Sequence, residues 1–259
     1  MSTVKTLHQM LCKSKRVVFF GGAGVSTESG VPDYRSSGGS HTINFEGLPP
    51  SHILDIEFFN DDPETFYTFY KKNKIFNGVE PNITHRWLVE LEQAGKLSGI
   101  ITQNIDGLHT KAGSKNIVEL HGSVLNNYCT ICGHEYSLED ILASSSVVPY
   151  CVDCNGIIRP SVVLFGEGLK SSSTLSAIEL LSGADMLIVA GTSLKVYPAA
   201  GFLPHFAGRY MVIINNDKTE YDQFANLVIN RQLGEVISDL LILNGNLGWL
   251  RKVGKLLTL

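Results

Sequence analysis

Four cysteines form two pairs with the spacing of a metal site. Cys129 and Cys132 form one Cys-x-x-Cys pair, and Cys151 and Cys154 form a second pair after an interval of eighteen residues. Each pair can direct two thiolates to one point, and four thiolates complete the tetrahedral shell that Zn²⁺ prefers. Such a closed shell leaves no position for a catalytic water, so we expect one structural zinc ion that folds a small module. Two disulfides are the alternative, which a reducing cytosol and a chain start without an apolar signal core both disfavour.

A glycine-rich turn follows the first buried apolar run and reads Gly21-Gly-Ala-Gly-Val-Ser-Thr27. Such a turn lets the main chain approach a pyrophosphate, and the N-terminus of a following helix offers free N–H groups. Thr27 stands where the third glycine of the dinucleotide-binding pattern belongs, and no acidic residue ends an obvious second strand. A hydride-transferring dehydrogenase is therefore disfavoured.

Polar residues also follow later apolar runs. Gln103, Asn104 and Asp106 come after one run, and His121 comes after the next. Open α/β sheets build their sites at strand ends, and these side chains can hold a polar ligand and move a proton. Each also has a structural interpretation, since Asn104 and Asp106 can shape a turn or cap a helix and His121 can be a hydrogen-bonded core histidine. Their joint occurrence favours a functional site.

The elements that must position these groups alternate between short strands and helices. Helical periodicity appears at Val4/Leu7/Leu11, Trp87/Leu88/Leu91 and Leu175/Ile178/Leu181. Apolar, mostly β-branched runs of strand length are typical of parallel strands buried on both faces. They are 17–20, 99–102, 117–120, 162–165, 186–190, 211–214 and 227–229. This alternation predicts an α/β fold with a doubly wound, parallel, Rossmann-like sheet.

Two stretches interrupt the alternation, and we expect them to form a smaller lobe. Residues 36–84 begin with a Gly/Ser loop and continue as an aromatic-rich helical insert, and residues 126–159 form the four-cysteine zinc ribbon. The Rossmann-like domain then comprises 1–35, 85–125 and 160–259. We expect Cys12 to pack in the core on the apolar face of the first helix. After Gly245, a helix docked on the sheet is favoured over a basic amphipathic patch.

Composition limits the classes of function. The chain has 259 residues, of which 44% are hydrophobic and 18% charged, with a formal net charge of −4. This composition is that of a globular protein, and it gives no general surface for nucleic acid or membrane. The apolar runs are too short to span a bilayer. We expect a cytoplasmic protein with neither nucleic-acid nor membrane partners, and the oligomeric state stays open.

In family order, these motifs resemble the sirtuins, a family of NAD-dependent protein deacylases. The resemblance extends from about residue 16 to 240 and is carried by Gly22-Ala-Gly-Val-Ser, Gly30-Val-Pro-Asp-Tyr-Arg35, Gln103-Asn-Ile-Asp106, His121-Gly122, the four cysteines, Phe165-Gly-Glu167, Gly191-Thr-Ser193 and Asn215. It implies that the acyl-lysine oxygen attacks the ribose carbon that carries nicotinamide. The products are lysine, nicotinamide and O-acyl-ADP-ribose.

The resemblance also assigns roles to residues of this chain. His121 matches the general base, which accepts a proton from a ribose hydroxyl, and an ordinary imidazole pKa near ~6.5 suits that role. Asn104 matches the residue that orients the ribose and a water, and Ile105 and Asp106 match the nicotinamide pocket. The remaining cofactor-binding residues implied are Ala23, Gly24, Thr27, Tyr34, Arg35, Gln103, Gly191, Thr192, Ser193, Asn215, Asp217 and Gln232.

In sirtuins the acyl-lysine peptide adds as a strand between the two lobes through main-chain hydrogen bonds. The matching strands here are 163–167 and 191–197, so the implied substrate contacts are Val163, Phe165, Gly166, Glu167 and Val196. Tyr34 replaces the usual phenylalanine but keeps a ring over the reactive face. Because main-chain pairing reads little sequence, the target protein stays open.

Two other functions are less well supported. A zinc-ribbon nucleic-acid binder needs cations, but residues 126–158 contain no Lys or Arg and four acidic residues. Transfer of ADP-ribose to protein shares the cofactor and the first step, and the intact 103–106 motif with His121 favours deacylation.

The helical insert predicts which acyl groups are accepted. Sirtuins that prefer succinyl-lysine carry a Tyr-x-x-Arg pair whose arginine holds the acyl carboxylate. This chain has Tyr67-x-x-Tyr70 in the matching place. Lys71 and Lys72 follow, but one residue turns a helical side chain by about 100°. We therefore expect neutral acyl groups, acetyl first, to be preferred.

Overall fold

The computed structural model describes residues 2–33, 39, 44–76 and 78–243. The strands are Val17–Gly21 (β1), Leu97–Thr102 (β2), Ile117–Glu119 (β3), Gly122–Cys129 (β4), Glu135–Ser137 (β5), Ile158–Val162 (β6), Met186–Ala190 (β7), Tyr210–Ile214 (β8) and Leu227–Ile229 (β9). The α-helices are Ser2–Lys13 (α1), Pro50–Ile53 (α2), Ile56–Asp61 (α3), Pro63–Asn73 (α4), Ile83–Gln93 (α5), Leu108–Ala112 (α6), Leu138–Ala143 (α7), Ser171–Gly183 (α8) and Leu233–Leu243 (α9). The predictions for Tyr34, Arg35 and the tail after Gly245 concern residues outside these ranges.

The large lobe is a six-stranded sheet in the order β3-β2-β1-β7-β8-β9, in which every pairing is parallel. Side chains alternate between its two faces. Phe19 and Ile188 pack with α1, α5 and α9, whereas Phe20 and Val189 pack with α8 on the other face. Burial on both faces explains the continuous apolar runs of β1 and β7. Six of the seven expected strands therefore lie in the parallel sheet, and the doubly wound fold is confirmed.

The seventh expected strand is wrong in both place and partner. The strand is Ile158–Val162 rather than 162–165, and it pairs antiparallel with β4 in a three-stranded sheet ordered β5-β4-β6. β6 is an edge strand, which suits Pro160 because proline has no N–H to donate. A β-branched run indicates a buried strand but does not specify which strand lies beside it.

The small lobe has its own core, formed by rings from the helical insert and residues of the three-stranded sheet. Phe66, Tyr67 and Tyr70 of α4 are fully buried and pack against Val124 and Ile158. Two helices of the insert begin at aspartate caps, Asp55 for α3 and Asp62 for α4, which accept main-chain N–H bonds. The lobe is thus held by ring packing together with the cysteine cluster.

Two side chains lie elsewhere than expected. Cys12 is exposed, with its Sγ 3.4 Å from His8 Nε2, because Val4, Leu7 and Leu11 form the apolar face of α1 and Cys12 lies off that face. Leu175 of α8 is 67% exposed, whereas Leu181 of the same pattern is buried as expected, together with Ala177. Among the described residues, no helix combines the length and the apolar character needed to cross a bilayer.

Candidate active site

The glycine-rich turn after β1 packs main chain against main chain. Gly24 N donates to the Gly191 carbonyl at 2.8 Å, and a Cβ on Gly24 would lie 2.7 Å from Gly191 Cα. Gly191 itself has φ +60°, and a Cβ there would lie 2.5 Å from Val25 N. Both glycines are therefore required, because their loops touch with no room for a side chain.

The turn is not followed by the expected α-helix. Two single-turn 3₁₀ helices follow instead, Ala23–Val25 and Thr27–Ser29. This conformation accommodates Thr27 at the place where the dinucleotide-binding pattern has its third glycine. The Thr27 hydroxyl donates back to the Gly24 carbonyl at 3.1 Å. Any electrostatic help to a bound pyrophosphate must come from local N–H groups rather than from a long helix dipole.

A buried serine joins this turn to the loop after β2. Ser26 Oγ donates to Asp106 Oδ2 at 2.7 Å and accepts from Asn104 Nδ2 at 3.0 Å. The sequence motif contained Ser26, but sequence reasoning gave it no role. Asp106 Oδ1 also accepts from Leu108 N at 2.9 Å, so this aspartate caps α6 as well as facing the cluster. Burial raises the pKa of Asp106, while the bonds from Leu108 and Ser26 partly oppose that rise.

His121 lies at the junction of the lobes, between β3 and β4. Its Nδ1 lies 2.8 Å from the carbonyl oxygen of Gln103, and a carbonyl only accepts, so Nδ1 carries the hydrogen. This tautomer leaves the Nε2 lone pair available as a proton acceptor. Burial lowers the pKa of His121, partly opposed by the Gln103 carbonyl, so the ring is neutral at physiological pH. A neutral, oriented imidazole is the form that a general base requires.

Hydrogen bonds of two side-chain amides join the ends of β2, β7 and β8. Gln103 Nε2 donates to Thr192 Oγ1 at 3.0 Å. The side chain of Asn215 bonds twice to the main chain of Thr192, at 3.0 and 2.9 Å. Ile105 accepts from Val124 N at 2.9 Å, which ties the loop after β2 to the small lobe. Gln103, Ile105, Thr192 and Asn215 are thus brought to one edge of the sheet.

A cavity of about 290 Å³ opens beside the glycine turn. Of the expected cofactor residues, Gly24, Thr27, Gly191, Asn215 and Gln232 line it. The other expected cofactor residues that the structure describes do not line it: Ala23, Gln103, Asn104, Ile105, Asp106, Thr192, Ser193 and the exposed Asp217. Its side-chain amides and the Thr27 hydroxyl suit the hydroxyl and ring nitrogen atoms of a nucleoside, so these groups fit NAD. Sequence reasoning missed Glu28, Asn216 and Arg231, which also line this cavity. Glu28 Oε1 accepts from Gly234 N at 3.0 Å, at the start of α9.

The segments expected to pair with a peptide are not regular strands. Residues 163–167 and 191–197 are both irregular, with Gly166 at φ +86° and Leu194 at φ +55°. Val163 N donates to the His121 carbonyl at 2.9 Å, so the first segment is tied to the main chain of the expected base. The carbonyl of Val196 accepts from Ala200 N at 2.9 Å and is therefore already used within the protein.

The four cysteines meet at one point, with all four Sγ atoms within 4.8 Å of one another. Cys129 and Cys154 Sγ lie 3.4 Å apart, and Cys132 and Cys151 Sγ 3.6 Å apart. These separations exceed a disulfide bond and approach the edge of a ZnS₄ tetrahedron, about 3.8 Å for Zn–S bonds of about 2.3 Å. The Tyr136 hydroxyl donates to Cys151 Sγ at 3.1 Å, an outer contact of the kind that orients a metal ligand. The donor set therefore fits a structural zinc ion.

Comparison with known proteins agrees with this geometry. Residues 22–198 match the model of the Sir2 family. An NAD-dependent protein deacetylase of Clostridium acetobutylicum is 46% identical over 235 residues, which is 90% of this chain and 96% of the relative. The enzyme of the same name from Staphylococcus aureus strain COL is 43% identical over 239 residues, 92% of this chain and 98% of the relative.

Solved structures agree as well. Sir2 bound to an acetylated peptide superposes with a TM-score of 0.84 at 39% identity, covering 93% of this chain and 98% of the other. Sir2 with a p53 peptide and NAD⁺ gives a TM-score of 0.82 at 40% identity, again with 93% and 98% coverage. With the sheet, the cysteine cluster and the polar edge in place, the chain belongs to the Sir2 family.

Proposed function

We propose that this protein is an NAD-dependent protein-lysine deacetylase. NAD, when bound, would supply the ribose carbon that the acyl oxygen attacks, with nicotinamide as the leaving group, and the ribose hydroxyl on which the acyl group ends. One water is consumed, so acyl-lysine and NAD yield lysine, nicotinamide and O-acyl-ADP-ribose. The observation that carries the proposal is His121, whose Nδ1 is held by the Gln103 carbonyl at 2.8 Å so that Nε2 is left to accept a proton.

The other residues of the site bind and orient. The turn containing Ala23, Gly24 and Thr27 lies against the pyrophosphate, which the N–H groups of Ala23 and Thr27 hold, since the N–H of Gly24 donates to the Gly191 carbonyl. Thr192 with Ser193 contacts a phosphate. Asn104, fixed through Ser26, orients the ribose and the water that enters. Ile105 and Asp106 hold the nicotinamide carboxamide, from whose N–H the Asp106 carboxylate can accept a hydrogen bond. Asn215 and Gln232 serve the adenosine half of the cavity.

The zinc ion has a structural role in this proposal. Four thiolates complete its shell, so it stabilises the three-stranded sheet and takes no part in proton transfer. Unpaired thiols that hold zinc suit a reducing compartment, which supports a cytoplasmic location. The partners proposed are acyl-lysine proteins.

The test follows both products. The protein is incubated with NAD and an acetyl-lysine peptide, while nicotinamide release and peptide mass are measured. Deacetylation predicts loss of the acetyl mass, and a gain of ADP-ribose would instead show transfer to the peptide. His121→Ala should reduce deacetylation by ~10²–10⁴, a typical contribution of a general base, while zinc content and unfolding temperature stay unchanged. Turnover within a few-fold of the parent would exclude His121 as the base.

A further inference from the structure

The segment between β6 and α8 has one bonded edge and one open edge. Phe165 N donates to the Leu54 carbonyl at 2.9 Å, and the Phe165 carbonyl accepts from Ile56 N at 3.0 Å. Two residues earlier, Val163 N is also bonded within the protein, to the His121 carbonyl at 2.9 Å. Among the described residues, no hydrogen bond uses the N–H or carbonyl of Gly166. The open edge at Gly166 is therefore available to an added peptide strand.

The shape of this segment depends on the side chain of Glu167. Glu167 N donates to the Leu164 carbonyl at 3.1 Å, and Leu164 N donates back to Glu167 Oε2 at 2.8 Å. Two nitrogens of Arg159 reach the same carboxylate, Nη1 to Oε1 and Nη2 to Oε2, both at 2.9 Å. This is the two-bond geometry in which a guanidinium fixes the plane of a carboxylate. The Glu167 carboxylate is thus bonded to three N–H groups of the protein.

Arg159 connects three parts of the small lobe. Its side chain is only 10% exposed, and Nη2 also donates to the Val162 carbonyl at 3.2 Å. The guanidinium lies over the ring of Phe59 in α3 at 5.6 Å and over that of Tyr128 in β4 at 5.7 Å. Arginine is suited to this position, because it stacks on rings and bonds a carboxylate at the same time.

The charge state of the pair agrees with this geometry. Burial alone would raise the pKa of Glu167, but the bonds from Arg159 and Leu164 N lower it below its usual value. The carboxylate is therefore ionised throughout the neutral range, and the ion pair persists there.

We propose that Arg159 and Glu167 are a positioning pair that holds the open edge of residues 163–167 in the conformation to which the peptide substrate adds. The pair does not touch the reacting atoms. The inference rests on the proposed deacetylase function, since it concerns the peptide groove of the same site. It adds a residue, Arg159, that neither the motifs nor the cavity indicated.

The test compares two substrates in one enzyme. One is a peptide that extends on both sides of the acetyl-lysine, and the other is acetyl-lysine with blocked ends, which offers few main-chain bonds. Glu167→Gln keeps the size of the side chain but removes its charge. It should raise KM for the long peptide by roughly tenfold, the scale of a lost charged hydrogen bond, with kcat and the KM for NAD within about twofold. The kcat/KM for blocked acetyl-lysine should fall less than that for the long peptide.

Arg159→Lys is the second variant, since it keeps the charge and loses the fork, and it should give a smaller rise of the same kind. Glu80→Gln is the matched control, because Glu80 pairs with Lys111 at 2.8 Å on an exposed surface. An equal loss with both substrates would overturn the proposal, since it would indicate disturbance of His121 through Val163. Unchanged KM for the long peptide in both variants would also overturn it. Turnover of the long peptide by the parent enzyme is measured first. Failure of the proposed function would appear there, before any variant is compared.

Discussion

In the large lobe the glycine-rich turn is held by main chain against main chain, whereas in the small lobe an ion pair joins Glu167 to Arg159 and four cysteine thiols form a cluster. Gly24 touches Gly191 with no intervening side chain, while the Glu167 carboxylate bonds to Arg159 and to Leu164 N, and the four cysteine Sγ atoms lie within 4.8 Å of one another. The first arrangement is insensitive to pH and metal but intolerant of a single added atom. The second tolerates small steric changes but fails when a charge or a metal ion is removed. Different treatments should therefore destabilise the two lobes.

Zinc removal should give the largest effect and should be confined to the small lobe. A structural zinc site contributes apparent binding free energies of about 10–16 kcal/mol in small zinc peptides. Chelation, or Cys129→Ser, should therefore release hydrogen-exchange protection across β4 to β6 while β1 and β7 remain protected. Cys12→Ser is the control, because Cys12 is exposed and lies outside the cluster. Equal loss of protection in β7 would contradict independent lobes.

Gly24→Ala should instead destabilise the large lobe. The added Cβ meets Gly191 Cα at 2.7 Å, and overpacking of this kind costs about 1–3 kcal/mol. We expect a lower unfolding temperature and a raised KM for NAD, with the KM for peptide little changed. Gly183→Ala serves as the comparison, since a Cβ there meets nothing within 4 Å. An unchanged KM for NAD in Gly24→Ala would show that the two loops separate easily.

Acid should destabilise the large lobe through two buried histidines. The rings of His85 and His109 lie 4.7 Å apart, and neither His109 nitrogen has a hydrogen-bond partner among the described residues. Burial lowers the pKa of His85 to about 4 and that of His109 to about 3. Because these values are below the unfolded value near ~6.5, the unfolded chain binds protons first, and stability falls with pH below ~6.5.

The measurement is the free energy of unfolding between pH 7 and pH 5. The slope should be shallower in His109→Phe, which removes one titrating ring and its unpaired nitrogens. His205→Gln is the exposed control and should keep the parent slope. If the parent and His109→Phe have equal slopes, the buried pair does not account for acid sensitivity.

The smallest effect concerns the choice of acyl group. The Tyr67 hydroxyl bonds to the Ile158 carbonyl, Tyr70 is fully buried, and Lys71 Nζ reaches the Ser146 carbonyl at 3.3 Å. These contacts commit the side chains of α4 to the small lobe and supply no cation for an acyl carboxylate. An unpaired buried carboxylate is costly, so acetyl-lysine should be turned over faster than succinyl-lysine in the same peptide. Succinyl turnover at or above that of acetyl would reverse the prediction.

The parallel sheet could be predicted because strands buried on both faces must be apolar throughout, as β1 and β7 are. The cysteine cluster could be predicted because its chemistry depends on spacing alone. The run at 162–165 was misplaced because apolar character does not identify a strand's neighbour. Its true strand, β6, contains Pro160, which is a signal for an edge position.

Contacts between residues far apart in the chain could not be predicted from the sequence. Ser26 reaches Asp106 across 80 residues, and Glu28 reaches Gly234 across 206. No local pattern encodes such pairs, because they depend on how the strand ends converge. Cys12 was misassigned for a related reason: periodicity gives the apolar face of α1, but only the packed helix shows where that face ends.

One hydrogen bond provides an NMR probe of the junction between the lobes. The amide of Val163 donates at 2.9 Å to the carbonyl of the same residue whose ring is the proposed base. Its proton chemical shift depends on the length of that bond, so a single ¹⁵N-labelled valine reports whether segment and histidine move together. Adding peptide without NAD, and then NAD without peptide, would separate the effect of peptide binding on the Val163 amide resonance from the effect of NAD binding.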